Sequence, residues 1–313
     1  MATQELWIGF SCLIVLLLAI DGYVLSIPKY SAHRSTRHAL LWTLIWVVAA
    51  LLFNFALWRY LLAITTPEFA NTQAINFLSG YLIEKSLAAD NLFVFYLIFT
   101  QFKIPPPHQQ RVLAYGIWGA VVLRLLLILL GVWLVTYFHW IFYVMGAFLV
   151  IAGLQMALGD HQEKDLLSGS LFKNLKRLFR VTSTQENNHF FTRKNKLLYA
   201  TPLFVALIFI EFSDIVFAFE SIPAIFAITT DPFIVWTSNI FAILGLRALY
   251  FVLIGTIRRF TLLKYAIALI LVFVGFKMLV MPWIAISASV SLGVITSILF
   301  IFSFLNYLKN RSK

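Results

Sequence analysis

Between Leu203 and Tyr250 the chain reads LFVALIFIEFSDIVFAFESIPAIFAITTDPFIVWTSNIFAILGLRALY. Glu211, Asp214, Glu220 and Arg247 interrupt a run that is otherwise apolar enough to lie in a bilayer. An ionised side chain at mid-membrane costs at least about 2.5–3.5 kcal/mol on insertion scales. Such groups face a bundle interior, where they pair with one another or line an ion or proton path. Along the whole chain the embedded acids are Asp21, Glu84, Asp90, Glu211, Asp214 and Glu220, and the embedded bases are Lys85, Arg124, Arg247 and Lys277. If all ionise, six acids and four bases leave two negative charges, which suits one divalent cation.

Residue type narrows that cation. Oxygens of Asn91, Ser213, Ser221 and Asn239 accompany the carboxylates. His33, His38, His108, His139, His161 and His189 fall in loops or at span ends, and Cys12 is the only cysteine. An all-oxygen site prefers a hard cation, so manganese, calcium or magnesium is expected over zinc or copper. The expected metal-ligating residues are Glu84, Asp90, Asn91, Glu211, Asp214, Glu220, Ser221 and Asn239. Asp21, Arg124 and Arg247 are expected as gates or counter-ions. A plainer arrangement would pair Asp90 and Glu220 with Arg124 and Arg247 as structural salt bridges.

Helix geometry constrains the set. Residues six apart point about 120° apart and differ by roughly 9 Å in height on an intact helix. Glu84 with Asp90, or Asp214 with Glu220, could then not hold one ion together, whereas Glu211 and Asp214 share a face. Pro223 predicts a break that leaves the Phe219 carbonyl without its helical donor, beside Glu220. Unwound carbonyls next to acids are a recurring ion site in transporters.

The elements that must carry these residues are membrane helices. The chain has 313 residues, 61% hydrophobic and only 12% charged, where a soluble protein of this size has about a quarter charged residues. Spans of about 20 apolar residues are predicted at 6–26, 40–63, 74–101, 112–136, 139–158, 198–228, 232–256, 262–281 and 283–307. The expected fold is therefore an all-α polytopic membrane protein of about nine transmembrane helices. Intrachain disulfides are excluded by the single cysteine.

The net charge of +11 could suggest nucleic acid, but its placement argues against that partner. Lys and Arg gather in alternate loops: Lys29, Arg34 and Arg37; Lys103 and Arg111; eight residues within Gly159–Lys196; Arg258, Arg259 and Lys264; and Lys309, Arg311 and Lys313. Loops such as Thr65–Thr72 and Thr229–Asp231 carry acids instead. The positive-inside rule then predicts an N-terminus outside and a C-terminus in the cytoplasm. The first apolar run has no basic segment before it and is expected to be a retained span. LFKNLKRLFR at 171–180 has the pattern of a basic helix, lying on the anionic inner leaflet or solvated in the loop.

An internal repeat organises the spans. Span three carries Glu84 and then Asp90–Asn91; span six carries Asp214 and then Glu220–Ser221. Leu123–Arg124–Leu125 in span four matches Leu246–Arg247–Ala248 in span seven. Gly153–Leu154–Gln155–Met156 in span five matches Gly275–Phe276–Lys277–Met278 in span eight. The first copy starts outside and the second inside, so the repeat is inverted, an arrangement of secondary transporters with the substrate site at mid-membrane. The expected divisions are two N-terminal helices (1–64), repeat one (65–158), a cytoplasmic basic loop (159–197), repeat two (198–281), and a last helix with its tail (282–313).

GYLIEKSLAADNLFVFYLIF at 80–99 and EFSDIVFAFESIPAIFAITTDPFIVWTSNIFAILGLRALY at 211–250 resemble the TerC family of bacterial integral membrane proteins. The resemblance runs from about residue 5 to 305. It implies a build similar to the wider LysE group of exporters, and an association with tellurite resistance and with pH- and manganese-responsive metal export. It also implies that Glu84, Asp90, Glu211, Asp214 and the acid at 220 form the metal path. The family pattern has Asp before Ser-Ile-Pro-Ala where this chain has Glu220; the longer side chain reaches further and permits bidentate binding.

The resulting expectation is an inner-membrane exporter of a divalent cation, manganese first, by alternating access and possible proton antiport, with no permanently bound cofactor. The alternative is a non-transporting membrane scaffold of a stress-response or membrane-assembly complex, working through the 159–196 loop. Enzyme function is not expected: no Gly-x-Gly-Asp motif of intramembrane aspartyl proteases and no Gly-x4-Gly-Lys nucleotide loop occurs.

Overall fold

A computed structural model describes residues 4–26, 36–138, 140–158, 189–194, 197–256, 262–281, 283–284 and 286–311. The expected surface helix at 171–180, most of the basic loop, and the side chains of Asp21 and Asp90 lie outside the described residues.

The helices in chain order are α1 (Gln4–Ser26), α2 (Thr36–Ile64), α3 (Pro67–Gln101), α4 (Pro106–Tyr137), α5 (Ile141–Leu158), α6 (Pro202–Phe226), α7 (Pro232–Ile243), α8 (Leu246–Thr256), α9 (Leu263–Val280) and α10 (Ala288–Arg311). Proline starts several of them, where its missing N–H costs nothing. Pro67 follows the cap Thr66, and Pro232 follows Asp231, whose Oδ1 accepts from the amides of Phe233 at 2.9 Å and Ile234 at 3.3 Å. α3 ends at Gln101, and after a short turn Pro105 caps α4 and Pro106 opens it.

The chain is an all-α integral membrane protein. Among the described residues five helices are long and apolar enough to cross a bilayer, and the bent pair α7–α8, taken as one span, makes a sixth. α1, α3 and α9 are helical where spans were expected but do not meet that measure among the described residues. α3 is the most polar of the three, with Asn71, Thr72, Gln73 and Asn76 in its first turns and Glu84, Lys85 and Asp90 within seven residues further on. Large apolar side chains of α2, α4 and α5, among them Leu44, Leu52, Leu126 and Phe148, are exposed and form the face offered to lipid.

A short hairpin was not foreseen. Phe191–Lys194 (β1) pairs antiparallel with Leu197–Ala200 (β2), and the sixth span begins only at Pro202, not at 198. Thr201 ties the hairpin to α6 by donating its hydroxyl to the His189 carbonyl at 2.8 Å.

Two contacts show how the repeat units meet. α5 and α9 pack along each other more extensively than any other helix pair described. A Cβ at Gly275 would lie 2.6 Å from the Gly146 carbonyl oxygen, and one at Gly153 would lie 2.7 Å from the Ala268 carbonyl oxygen. The offset that carries Gly153 onto Gly275 also carries Gly146 onto Ala268. The two contacts therefore exchange under the repeat, as a two-fold axis through this antiparallel pair requires. Small residues let the backbones approach, which is how helices associate where lipid removes the hydrophobic drive.

The chain breaks at Gly245, not at Pro223. α6 runs as helix through Pro223 to Phe226. Pro223 lies in its last turn, where few intrahelical bonds remain to be lost. Gly245 has φ +85° and separates α7 from α8 by a 40° bend. The left-handed region suits glycine, and the Trp46 side chain of α2 closes over it, 2.8 Å from where a Cβ would stand. α7 is enclosed on every side, with Phe233 through Ile243 all buried.

Candidate functional site

Arg124 of α4 is the centre of the site and is 1% exposed. Its Nε donates to Asp214 Oδ2 at 3.0 Å and its Nη2 to Asp214 Oδ1 at 2.7 Å. Its Nη1 donates to Glu84 Oε1 and, at 2.9 Å, to Asn239 Oδ1. One guanidinium thus gathers a carboxylate from α3, another from α6, and an amide from the buried half-helix α7. The fork of Arg matches a carboxylate in a way Lys cannot.

Glu84 and Asp214 occupy matching positions of the two repeat copies. Arg124 is thus taken up by Glu84 and Asp214, while the Asp90 side chain, expected to pair with Arg124 or Arg247, lies outside the described residues. Glu84 Oε2 and Asn239 Nδ2 remain buried without a hydrogen-bond partner, and so does Ser221 Oγ on α6. Buried polar atoms are nearly always satisfied by protein, water or a ligand, so among the described residues around Arg124 these three are open to something further.

A small cavity of about 20 Å³, room for little more than one water, adjoins the cluster between α3, α4, α6, α7 and α8. Glu211, Asp214 and Arg247 are its charged lining, among apolar side chains such as Phe95 and Ile243. Glu211 is half-buried. Gly116 and Gly119 of α4 make the space for its carboxylate, and a Cβ at Gly119 would overlap it. These glycines were not picked out from the sequence; the Gly116-x-x-Gly119 spacing on an apolar span was the available signal.

The other expected site residues distribute as follows. Asn91 is buried on α3, and Glu220 is half-buried on α6. Arg247, 4% exposed, stands just after the Gly245 break. Ser213 is spent on its own helix, donating to the Phe209 carbonyl at 2.7 Å. Among the described residues no three His, Cys, Asp or Glu side chains are grouped to hold a metal.

Two embedded lysines find other partners. Lys85 Nζ donates to the Ala242 carbonyl at 3.2 Å. That carbonyl belongs to the last turn of α7, where the chain break ends the helical ladder and the dipole favours a cation. Lys277 Nζ donates to Ser291 Oγ of α10 at 2.8 Å.

Residues 69–313 match the family described as Integral membrane protein TerC family. The Alx protein of Salmonella typhi, which its name proposes to be a membrane-bound redox modulator, is 50% identical over 312 residues, 99% of this chain and 96% of that protein. The Alx protein of Escherichia coli K12 is 51% identical over 298 residues, 95% of this chain and 92% of that protein. A membrane protein of Myxococcus xanthus is 43% identical over 295 residues, 94% and 89% of the two chains. No solved structure matches the chain significantly. With the family matched over most of its length and relatives of half-identical sequence end to end, this chain is a member of the TerC family of integral membrane proteins.

Proposed function

We propose that this protein is a secondary transporter that exports a divalent metal cation, manganese first, across the bacterial inner membrane. The observation that carries the reading is the convergence of Glu84 and Asp214, equivalent residues of two repeat copies, on one buried guanidinium beside a broken helix. Inverted repeats that bring acids together at a discontinuous helix are the usual architecture of an ion site in secondary transporters. The groups that could ligate a cation, Glu84 Oε2, the Ser221 hydroxyl and the Glu211 carboxylate, are all oxygens, which favours a hard cation.

In this reading Arg124 is a resident positive charge. Two carboxylates in a low-dielectric site repel each other, and Arg124 holds them together while cargo is absent. An arriving cation takes over Glu84 through Oε2, with the Glu211 carboxylate and Asp214 marking its way through the cavity. Proton exchange at these carboxylates would couple transport to the proton gradient. The N-terminus faces the periplasm and the C-terminus the cytoplasm, as the basic loops require. The redox role proposed by the relatives' name would work here through the metal carried or through partners, because Cys12 is the only cysteine.

A second reading has support of its own: without three acids grouped around one point among the described residues, the Arg124 cluster serves as an intramembrane staple of a scaffold protein. Cellular manganese content separates the two. Cells lacking the gene and challenged with manganese should be restored by the wild type but not by Glu84→Gln or Asp90→Asn at equal membrane abundance. Full restoration by both variants would refute export.

A further inference from the structure

Gln73, Asn76, Gly80 and Glu84 follow one another at three, four and four residues along α3. That spacing puts them on one face of a helix. The contacts of Gly80 show what the face addresses: a Cβ there would lie 2.8 Å from Ser238 Oγ of α7 and 3.5 Å from Ile225 Cγ2 of α6. The face therefore looks into the seam between α3 and the two repeat-two helices, not toward lipid.

The seam carries acceptor oxygens that the protein does not use. Among the described residues Gln73 Oε1, Asn76 Oδ1 and Glu84 Oε2 find no hydrogen-bond partner, and all three are buried; Asn76 as a residue is 6% exposed. By contrast Ser79, next to this face and 0% exposed, returns its hydroxyl to the Ile75 carbonyl at 2.8 Å. Helical rise places Asn76 about 12 Å from Glu84 along α3 and Gln73 a further ~4.5 Å toward the start of the helix. Buried acceptors strung on one face, without donors, call for water or a cation. Gly80 between them lets Ser238 of α7 come up against α3, so what faces the chain of acceptors at this level is a hydroxyl.

We infer that this face of α3 is the outer leg of the cation path: the Gln73 and Asn76 oxygens are a hydrated step between Glu84 and the periplasmic end of the bundle. The inference rests on the transport reading for its cargo, a partly hydrated divalent cation, but its hydration is testable without transport. The Asn76 and Gln73 oxygens accept hydrogen bonds from the water around the cation, or ligate it in passage, while the carboxylate cluster holds the cation.

The test uses the full chain in cells, with Cys12→Ser to remove the native thiol. Asn76→Cys and Leu78→Cys place single thiols at similar depth on opposite faces of α3. A membrane-impermeant thiosulfonate is applied from the periplasmic side. Modification at position 76 should be at least about tenfold faster than at 78, because only a wet seam admits the charged reagent. Manganese chloride at millimolar concentration should slow it. Equal slow modification at both positions would overturn the inference, even if the wild type transports manganese. Wild-type proteoliposomes that show no uptake would instead defeat the transport reading, with the labelling result still deciding whether the seam is wet. As a second measurement, Asn76→Ala should lower manganese flux roughly tenfold with unchanged thermal unfolding. Unchanged flux would count against the inference.

Discussion

Arg124 and Asp214 are joined by two parallel hydrogen bonds, Nε to Oδ2 at 3.0 Å and Nη2 to Oδ1 at 2.7 Å, with both residues buried. The pair bridges α4 of one repeat copy to α6 of the other. It is the point where the two halves are held by charge, as the α5–α9 contact is where they are held by packing.

Removing the guanidinium should therefore be costly. Arg124→Ala leaves Glu84 and Asp214 buried without their common counter-ion, a loss of about 3–5 kcal/mol for a broken buried pair. Arg124→Lys keeps the charge but cannot serve both carboxylates in fork geometry, and should fall between wild type and alanine. Thermal unfolding in detergent, followed by size-exclusion fluorescence, checks the order. Equal stability of all three proteins would show that the pair is not a structural bridge.

The same network should be non-additive. Asp214→Asn alone weakens the fork, and combining it with Arg124→Ala should cost less than the two single losses together, since the second change relieves the first. A double-mutant cycle on unfolding midpoints reads the coupling, and strict additivity would argue against a direct interaction.

Gly119→Ala is expected to act on function and not on folding. The added methyl group takes the place of the Glu211 carboxylate, which belongs to the end of a flexible side chain and can move aside at less than about 1 kcal/mol. Manganese flux should fall while the unfolding midpoint stays put. A large drop in stability with normal specific flux would mean that Glu211 has no part in the path.

The packing between copies gives the opposite pattern. Gly275→Ala drives a methyl group to within 2.6 Å of the Gly146 carbonyl oxygen. This is backbone, which cannot swing away, so α5 and α9 must separate, at about 1–3 kcal/mol. Gly245→Ala meets both a left-handed backbone and the Trp46 side chain, a strain of about 1–3 kcal/mol. Both variants should show lowered unfolding midpoints in detergent.

Much of the scaffold could be read from residue order. Apolar run length located the helices, because a bilayer imposes it, and Gly153 and Gly275 matched in sequence and proved to meet each other's helix. The site was legible as residue types and less so as pairings. Which carboxylate reaches Arg124 depends on how α3, α4 and α6 are rotated against one another, and periodicity within one helix does not fix that. Pro223 suggested the break because proline is the strongest local signal. Its place in the last turn of α6 left little ladder to disrupt, and the bend went to Gly245, where Trp46 closes over a bare backbone. The β1–β2 hairpin escaped notice because Leu197–Ala200 runs straight into the apolar sequence of α6.

The central claim, that Glu84 takes a divalent cation in passage with Asp214 marking its way, is tested most directly by radiolabelled manganese uptake into proteoliposomes of the purified protein. Wild type should take up manganese against competing magnesium, and Glu84→Gln and Asp214→Asn, reconstituted in equal folded amount, should each reduce the rate to that of empty liposomes. Uptake at the wild-type rate by both variants would contradict the account.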